Sequence, residues 1–316
     1  MSTFKALLER EYWEHRGAFL KTPMIIGIIS IVILLLGYFT TERFDKVMTN
    51  GQAIETGSQS LESIDPLLIT HFIDIFMLTT GYIYHIVLFM VLFFFMLSSL
   101  YDDRKDGSIL FWKSLPISDT QTVLSKLVTA TVMVPLIFTA VLILSHLAFF
   151  LVLSLLLLIN GVNPFTVLWS NIDYINNWGA FLIGCMVQAL WALPVYGWLL
   201  FASAYSKRRP LLLAAFAPLM VGFIWYWYNA IFNYNILKIG VFKTLGIYMS
   251  KSFSPFTSGM GFDVESMDFD ARNQTNIELI KSMLNGLSNE SLYYGLVFAI
   301  ITIALAIYVR RYRNTT

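Results

Sequence analysis

Long apolar runs separated by short polar connections dominate the chain, and the lengths of those runs carry the first prediction. A helix needs roughly 20 mostly apolar residues to cross about 30 Å of hydrocarbon. Six segments qualify: 23–41, 73–100, 123–159, 178–205, 211–232 and 291–309. The first holds eleven Ile, Leu, Val or Phe residues, which favours insertion by roughly 3–7 kcal/mol before other contributions. Pro23 suits a helix start, where its missing N–H costs nothing. The third run is too long for one perpendicular crossing and must tilt, extend past the bilayer or bend at Pro135. Ahead of the first run, Phe4, Leu7, Leu8, Tyr12 and Phe19 share one helical face while Lys5, Glu9, Arg10, Glu14 and Arg16 lie off it. Residues 1–22 are therefore expected to form an amphipathic helix lying in the inner interface.

The polar segments complete a single polytopic domain over residues 1–316. Residues 42–72 read as a polar cap. Residues 233–290 divide into a half-apolar stretch, 236–253, that suits a short re-entrant or interfacial element, and an acidic polar stretch, 263–290. The expected fold class is an all-α integral membrane protein with six transmembrane helices.

Orientation follows from Lys and Arg. Fourteen of the 21 lie before the first span, in the connections between spans two and three and between four and five, and after the sixth. The other seven are spread over much longer segments. Both termini and the basic loops are thus expected in the cytoplasm, with a bacterial inner membrane as the location. Trp169, Trp178 and the run Trp225–Tyr228 fall where headgroup-level rings are expected at the outer end.

Composition agrees: 57% of the residues are hydrophobic and 13% charged, against about 25% charged in soluble domains. A net charge of +1 gives no global field for nucleic acid. Cys185 is the only cysteine, so an internal disulfide is impossible and zinc-ligand spacings are absent. The apolar run after Pro23 leads into Thr-Thr-Glu-Arg and no small-residue cleavage site, so it reads as a retained anchor.

The most structured connection is Tyr101–Lys126. A charge cluster from Asp102 to Asp106 precedes Gly107, which permits a turn. Ile109, Leu110, Phe111, Trp112 and Leu115 then give a short helix an apolar face. Pro116 closes it, and Ser118 with Gln121 forms a capping-box pattern for the next helix. Such a rigid helix–break–helix unit suits docking of a soluble partner, or lies on the membrane and meets only lipid.

Polar residues inside spans are the other candidates. His71 and Asp74 share a helical face at the start of the second span, and His85 lies near its middle beside Tyr84. His85 is a neutral imidazole bonded to a neighbouring helix carbonyl, a polar point on a substrate path, or a metal or proton relay, for which no second in-membrane carboxylate is present. Gln188, in the fourth span, is interhelical glue or a ligand contact. Tyr84, His85 and Gln188 are the candidate path residues. Ala180 and Gly184 form a small-xxx-small pair. Pro135, Pro194 and Pro218 interrupt spans and free carbonyls.

The Tyr101–Lys126 region resembles the signature loop of the ABC-2 type permeases, the membrane subunits of ABC exporters. The resemblance rests on Asp103-Arg104, Gly107-Ser108, Leu115-Pro116-Ile117-Ser118 and Lys126, together with the six-span layout, the N-terminal helix and the long segment before the last span. Asp103 stands where Glu is common. The resemblance implies alternating access at the interface of two such subunits, identical or paralogous, each docked on a cytoplasmic ABC ATPase. It implies an ATPase-coupling loop made of Asp103, Arg104, Gly107, Ser108, Ile109, Leu110, Phe111, Trp112, Leu115, Pro116 and Lys126. No G-x-x-x-x-G-K-[ST] occurs, so no cofactor is expected in this chain, and ATP and Mg belong to the partner. The chain is expected to have no enzymatic activity of its own. An ion-coupled transporter would want more charge inside its spans than His85, His146 and Asp74. A membrane enzyme would need a convergent catalytic set, and neither an H-E-x-x-H nor a G-x-S-x-G motif is present.

Overall fold

A computed structural model describes residues 3–48, 66–170, 174–232, 241–253 and 276–312. The side chains of His71, Asp74 and Leu110 lie outside the described residues. So do residues 49–65 of the polar cap expected over 42–72, and residues 263–275 of the acidic stretch.

Every regular element among the described residues is helical. The helices are α1 (Thr3–Glu14), α2 (Thr22–Met48), α3 (Pro66–Lys105), α4 (Ser108–Ser114), α5 (Asp119–Val128), α6 (Val134–Ile159), α7 (Tyr174–Tyr205), α8 (Pro210–Phe232), α9 (Val241–Phe253), α10 (Asn276–Asn285) and α11 (Glu290–Tyr312). Six helical segments are long and apolar enough to cross a membrane: Gly17–Thr40, Phe76–Lys105, Asp119–Ile159, Tyr174–Tyr205, Pro210–Ile231 and Glu290–Tyr312. The protein is a multi-pass membrane protein, and these segments are its first to sixth spans. The end at which the Lys- and Arg-rich connections lie is its basic end.

The prolines shape the helices. The third span is one helical rod of 41 residues, interrupted by a π-helical turn at Thr129–Met133. Pro135 has no N–H for the carbonyl one turn back. The turn before it widens, and the Val134 N–H bonds to the Thr129 carbonyl five residues earlier. The same arrangement precedes Pro23, where Gly17–Lys21 is π-helical. α1 therefore runs into the first span through this turn, with the Phe19 N–H bonded to the His15 carbonyl at 3.0 Å. α1, with Leu7 buried, packs against α5, and Phe19 in the turn is buried edge-to-face against Phe95 of α3. Pro218 similarly strips the Ala214 carbonyl of its helical donor. The Trp198 indole N–H from α7 takes that carbonyl at 3.0 Å, so the broken helix bond becomes an interhelical one.

α7 is the central element, flanked by α3, α11, α9, α10, α6 and α8. In its most apolar window 56% of residues are buried, against 11% in the fifth span. Helices in lipid associate through close packing of small residues, because lipid tails compete for apolar contact. α7 and α11 meet in this way, with Gly197 against Thr302 and Ala299, and Gly295 against Pro194. Gly27 on α2 plays the same part against Ser145 on α6. α9 and α10 pack against α7, where Tyr248, Ile280 and Met283 surround Trp191 and Val187. α9 ends at mid-α7, since the carbonyls of Ser252 and Phe253 accept from the Gln188 amide at 2.8 and 3.3 Å. Residues 241–253 of the half-apolar stretch read from the sequence form a helix reaching the middle of a span.

A β-carbon at Gly197 would stand 2.4 Å from Thr302 Oγ1 and 3.1 Å from the Ala299 carbonyl oxygen, whereas one at Gly179 meets nothing within 4 Å. Gly197→Val is expected to destabilise the purified protein by about 1–3 kcal/mol through overpacking. Gly179→Ala, on the same helix, is expected to leave the thermal midpoint unchanged. Thermal unfolding of both variants in one detergent checks this.

Candidate functional site

The residues singled out in the Tyr101–Lys126 connection converge at the basic end. α3 ends at Lys105, and Gly107 adopts φ +70°, a left-handed conformation that glycine enters without a steric penalty. The chain can therefore reverse within two residues and start α4. The Ser108 hydroxyl donates to the Asp103 carbonyl at 3.1 Å and holds the reversal. Leu115 returns to extended backbone, Pro116 follows, and Ser118 caps α5. Its Oγ accepts from the Gln121 N–H at 3.1 Å while the Gln121 side chain accepts from the Ser118 N–H at 3.2 Å.

Asp103 is the centre of a buried ionic junction. Arg10 of α1 donates to one carboxylate oxygen at 2.9 Å, and Arg310 of α11 donates to the other at 3.1 Å. Lys126 of α5 stands 3.7 Å from that second oxygen. Lys126 also holds Glu11 of α1 at 3.0 and 3.2 Å, and Arg310 Nε donates to Asp119 at 3.0 Å. Glu11, Lys126 and Asp103 are each at most 3% exposed. These three cations and three carboxylates come from four helices, and Arg10 Nε also pairs with the exposed Glu14 at 3.2 Å. Coulomb attraction is strong where water is excluded, but desolvation largely offsets it. Such a junction adds little net stability while making the loss of any one partner costly.

Asp103 and Arg104 do not pair with each other. Arg104 turns to the end of α7, donating to the carbonyls of Ser203 and Ser206, the latter at 2.8 Å. A cation there satisfies last-turn carbonyls and the negative end of the helix dipole. Ser203 Oγ in turn accepts from the Leu100 and Tyr101 N–H groups at 3.1 and 2.9 Å. The second and fourth spans are thereby locked together at the basic end.

The expected single apolar face of α4 divides in the structure. Ile109 is 1% exposed and points into a small cleft lined by Leu100, Arg104, Ala204, Val309 and Arg310. Phe111 is 60% exposed. Trp112 is half-buried, with the Arg10 guanidinium 4.0 Å above its ring, and Leu115 is half-buried as well. The physical reason is tertiary: α4 folds back on α3 and α11, and only its far side stays free.

Four participants, Arg10, Glu11, Asp119 and Arg310, were not singled out as site residues from the sequence. Glu11 sits four residues after Leu7, within the apolar stripe of α1, and an acid in such a stripe is a readable signal. Arg310 and Asp119 gave none, because Arg310 resembles its neighbour Arg311 and Asp119 resembles any first-turn acid.

The candidate path residues form a second polar group at mid-span. His85 Nδ1 and Gln188 Oε1 are 2.7 Å apart, and the Gln188 amide also donates to the His85 carbonyl at 3.0 Å. Gln188 thereby joins α3, α7 and α9. Tyr84 faces another way, donating to the Pro23 carbonyl at 2.8 Å with Ser145 Oγ 3.0 Å distant. All three residues are at most 2% exposed. His146 lies between Thr80 Oγ1 at 2.8 Å and the Trp178 indole at 3.4 Å. An indole N–H can only donate, so His146 accepts at Nδ1 and is a neutral imidazole. No family model, curated protein or solved structure matches the chain.

The Glu11–Lys126 pair permits a thermodynamic test. Lys126→Met alone leaves two buried carboxylates short of a cation and is expected to cost about 3–5 kcal/mol. Adding Glu11→Leu is expected to recover more than half of that loss. A double-mutant cycle by denaturant or thermal unfolding measures the coupling.

Proposed function

We propose that this chain is the transmembrane subunit of an ATP-driven exporter of the ABC-2 type. It works as one of two permease subunits, each docked on a separate cytoplasmic ATPase, and moves substrate by alternating access. The termini and the basic end face the cytoplasm of a bacterium, and the protein resides in its inner membrane.

The observation that carries this reading is the geometry of α4. A short helix exposes Phe111 beside Trp112, and both of its flanks are held by ion pairs. Asp103, on the α3 side, is bound by cations of α1, α5 and α11. Asp119, on the α5 side, is bound by Arg310. A displacement imposed on α4 from outside would therefore reach the second, third and sixth spans and α1 together. That is the mechanical requirement for converting movement of a soluble ATPase into movement of helices. The same residues carry the family resemblance, Asp103 and Lys126 at the junction and Arg104 at the end of α7. The orientation is supported by the basic residues concentrated at that end.

Replacing Phe111 with Asp places a charge on the free side of α4 without entering the junction. An apolar anchor in an interface typically contributes about 2 kcal/mol or more. The variant is expected to insert and fold normally, to lose about thirtyfold in affinity for a co-purifying ABC ATPase, and to lose export. Wild-type co-purification and export in a normally expressed Phe111→Asp protein would sink the coupling role.

Orientation is tested separately. Tags at both termini are expected to resist protease in intact cells, while a cleavage site inserted beside Ser266 is cut. Cleavage of a terminal tag in intact cells would reverse the assignment.

A further inference from the structure

A charged side chain packed against the middle of a span needs a partner, and one in this protein has an incomplete set. Lys251 lies in the last turn of α9 and places its ammonium 3.8 Å from the centre of the Trp191 ring. Trp191 is near the midpoint of α7, which runs Tyr174–Tyr205. The ammonium is therefore at mid-span depth, where an ionisable group marks a functional site by default. The ring face supplies a cation–π contact, but an ammonium also carries three N–H donors. Lys251 makes no hydrogen bond or ion pair with any described residue. Directly beside it, the Trp191 indole N–H is buried and has no partner, although the residue is 1% exposed. Two donors with no acceptor thus adjoin at one depth. The other groups nearby are apolar or satisfied: Tyr248 donates to the Ser291 carbonyl at 2.5 Å, and Met283 and Leu292 are buried against Trp191.

We infer that Lys251 and Trp191 form a binding point for an oxyanion, the phosphate or carboxylate of an anionic ligand held between α9 and α7. An oxyanion supplies what the described residues lack for the ammonium: an opposite charge, and lone pairs for the N–H groups that face away from the Trp191 ring. The ring under the ammonium holds it in place and leaves its far side free. Two sources fit this chemistry, a phospholipid headgroup drawn in from the bilayer or a water-soluble anion. The inference stands on the local geometry, and its test reads binding and not transport, so its failure would leave the coupling role of α4 untouched.

The test uses the full-length chain in neutral detergent. Native mass spectrometry with phosphatidylglycerol and with diacylglycerol, which has the same tails and no phosphate, probes the bilayer source, and titration with glycerol phosphate probes the soluble one. Either anionic probe is expected to bind, with affinity falling about tenfold in Lys251→Gln, or about 1.4 kcal/mol, and restored in Lys251→Arg. Equal retention of the two lipids with no glycerol phosphate binding would overturn the site. So would a Lys251→Gln protein that binds as wild type does. A second measurement keeps the native lysine. In a Cys185→Ala chain carrying Ile247→Cys, one turn before Lys251, an anionic methanethiosulfonate is expected to react about tenfold faster than a cationic one. Equal rates, or a faster cationic reagent, would also overturn it.

Discussion

A carboxylate taken out of water must be surrounded by cations, and the basic end of this protein is organised by that requirement at Asp103. Its two oxygens are held by Arg10 and Arg310, with Lys126 close to one of them. The three cations come from α1, α11 and α5, so one side chain sets the relative positions of the N-terminal helix and of the second, third and sixth spans. Apolar packing in lipid discriminates poorly between helix rotations, because tails are as good a neighbour as leucine. A shared buried charge discriminates strongly, because each misplaced partner leaves an unpaired ion.

Unpaired backbone groups are the second constraint, and prolines are where it operates. A missing N–H inside a span strands a carbonyl that water cannot reach. The chain meets this by widening the helix before Pro23 and Pro135, and by supplying the Trp198 indole to the carbonyl stranded by Pro218. The end of α9 poses the same problem at mid-span. Gln188 meets it, because a single amide group lies within bonding distance of the Ser252, Phe253 and His85 carbonyls. The distortions of this bundle are points of attachment between helices.

These constraints give the proposed coupling its physical form. α4 is too short to be stable alone. It is positioned by Gly107, by the Ser108 contact to Asp103 and by Ile109 in its cleft, and it leaves Phe111 outward. With both flanks held by charges that also hold other spans, it is an exposed handle on a rigid junction. The deep polar group at His85 and Gln188 lies at a different level and is tied to α9, so events at the two levels communicate through α3 and α7.

The chain by itself determined the six spans, because hydrophobic length is a property of the sequence and the bilayer requirement is generic. It also determined the capping box at Ser118 and the turn at Gly107, since both depend on residues within a few positions of each other. The importance of Asp103, Arg104 and Lys126 was legible only through resemblance, and their partners were not. Glu11, Asp119 and Arg310 are up to 300 residues from one another, and nothing local distinguishes a cation that will be buried from one that will stay in water. The division of α4 into a buried Ile109 and an exposed Phe111 was decided by where α3 and α11 lie. The same holds for Gln188 and Lys251, whose roles exist only because α9 ends beside the middle of α7. Local rules set which segments become helices; the burial of charge and of stranded carbonyls, which needs partners from distant segments, set how they fit together.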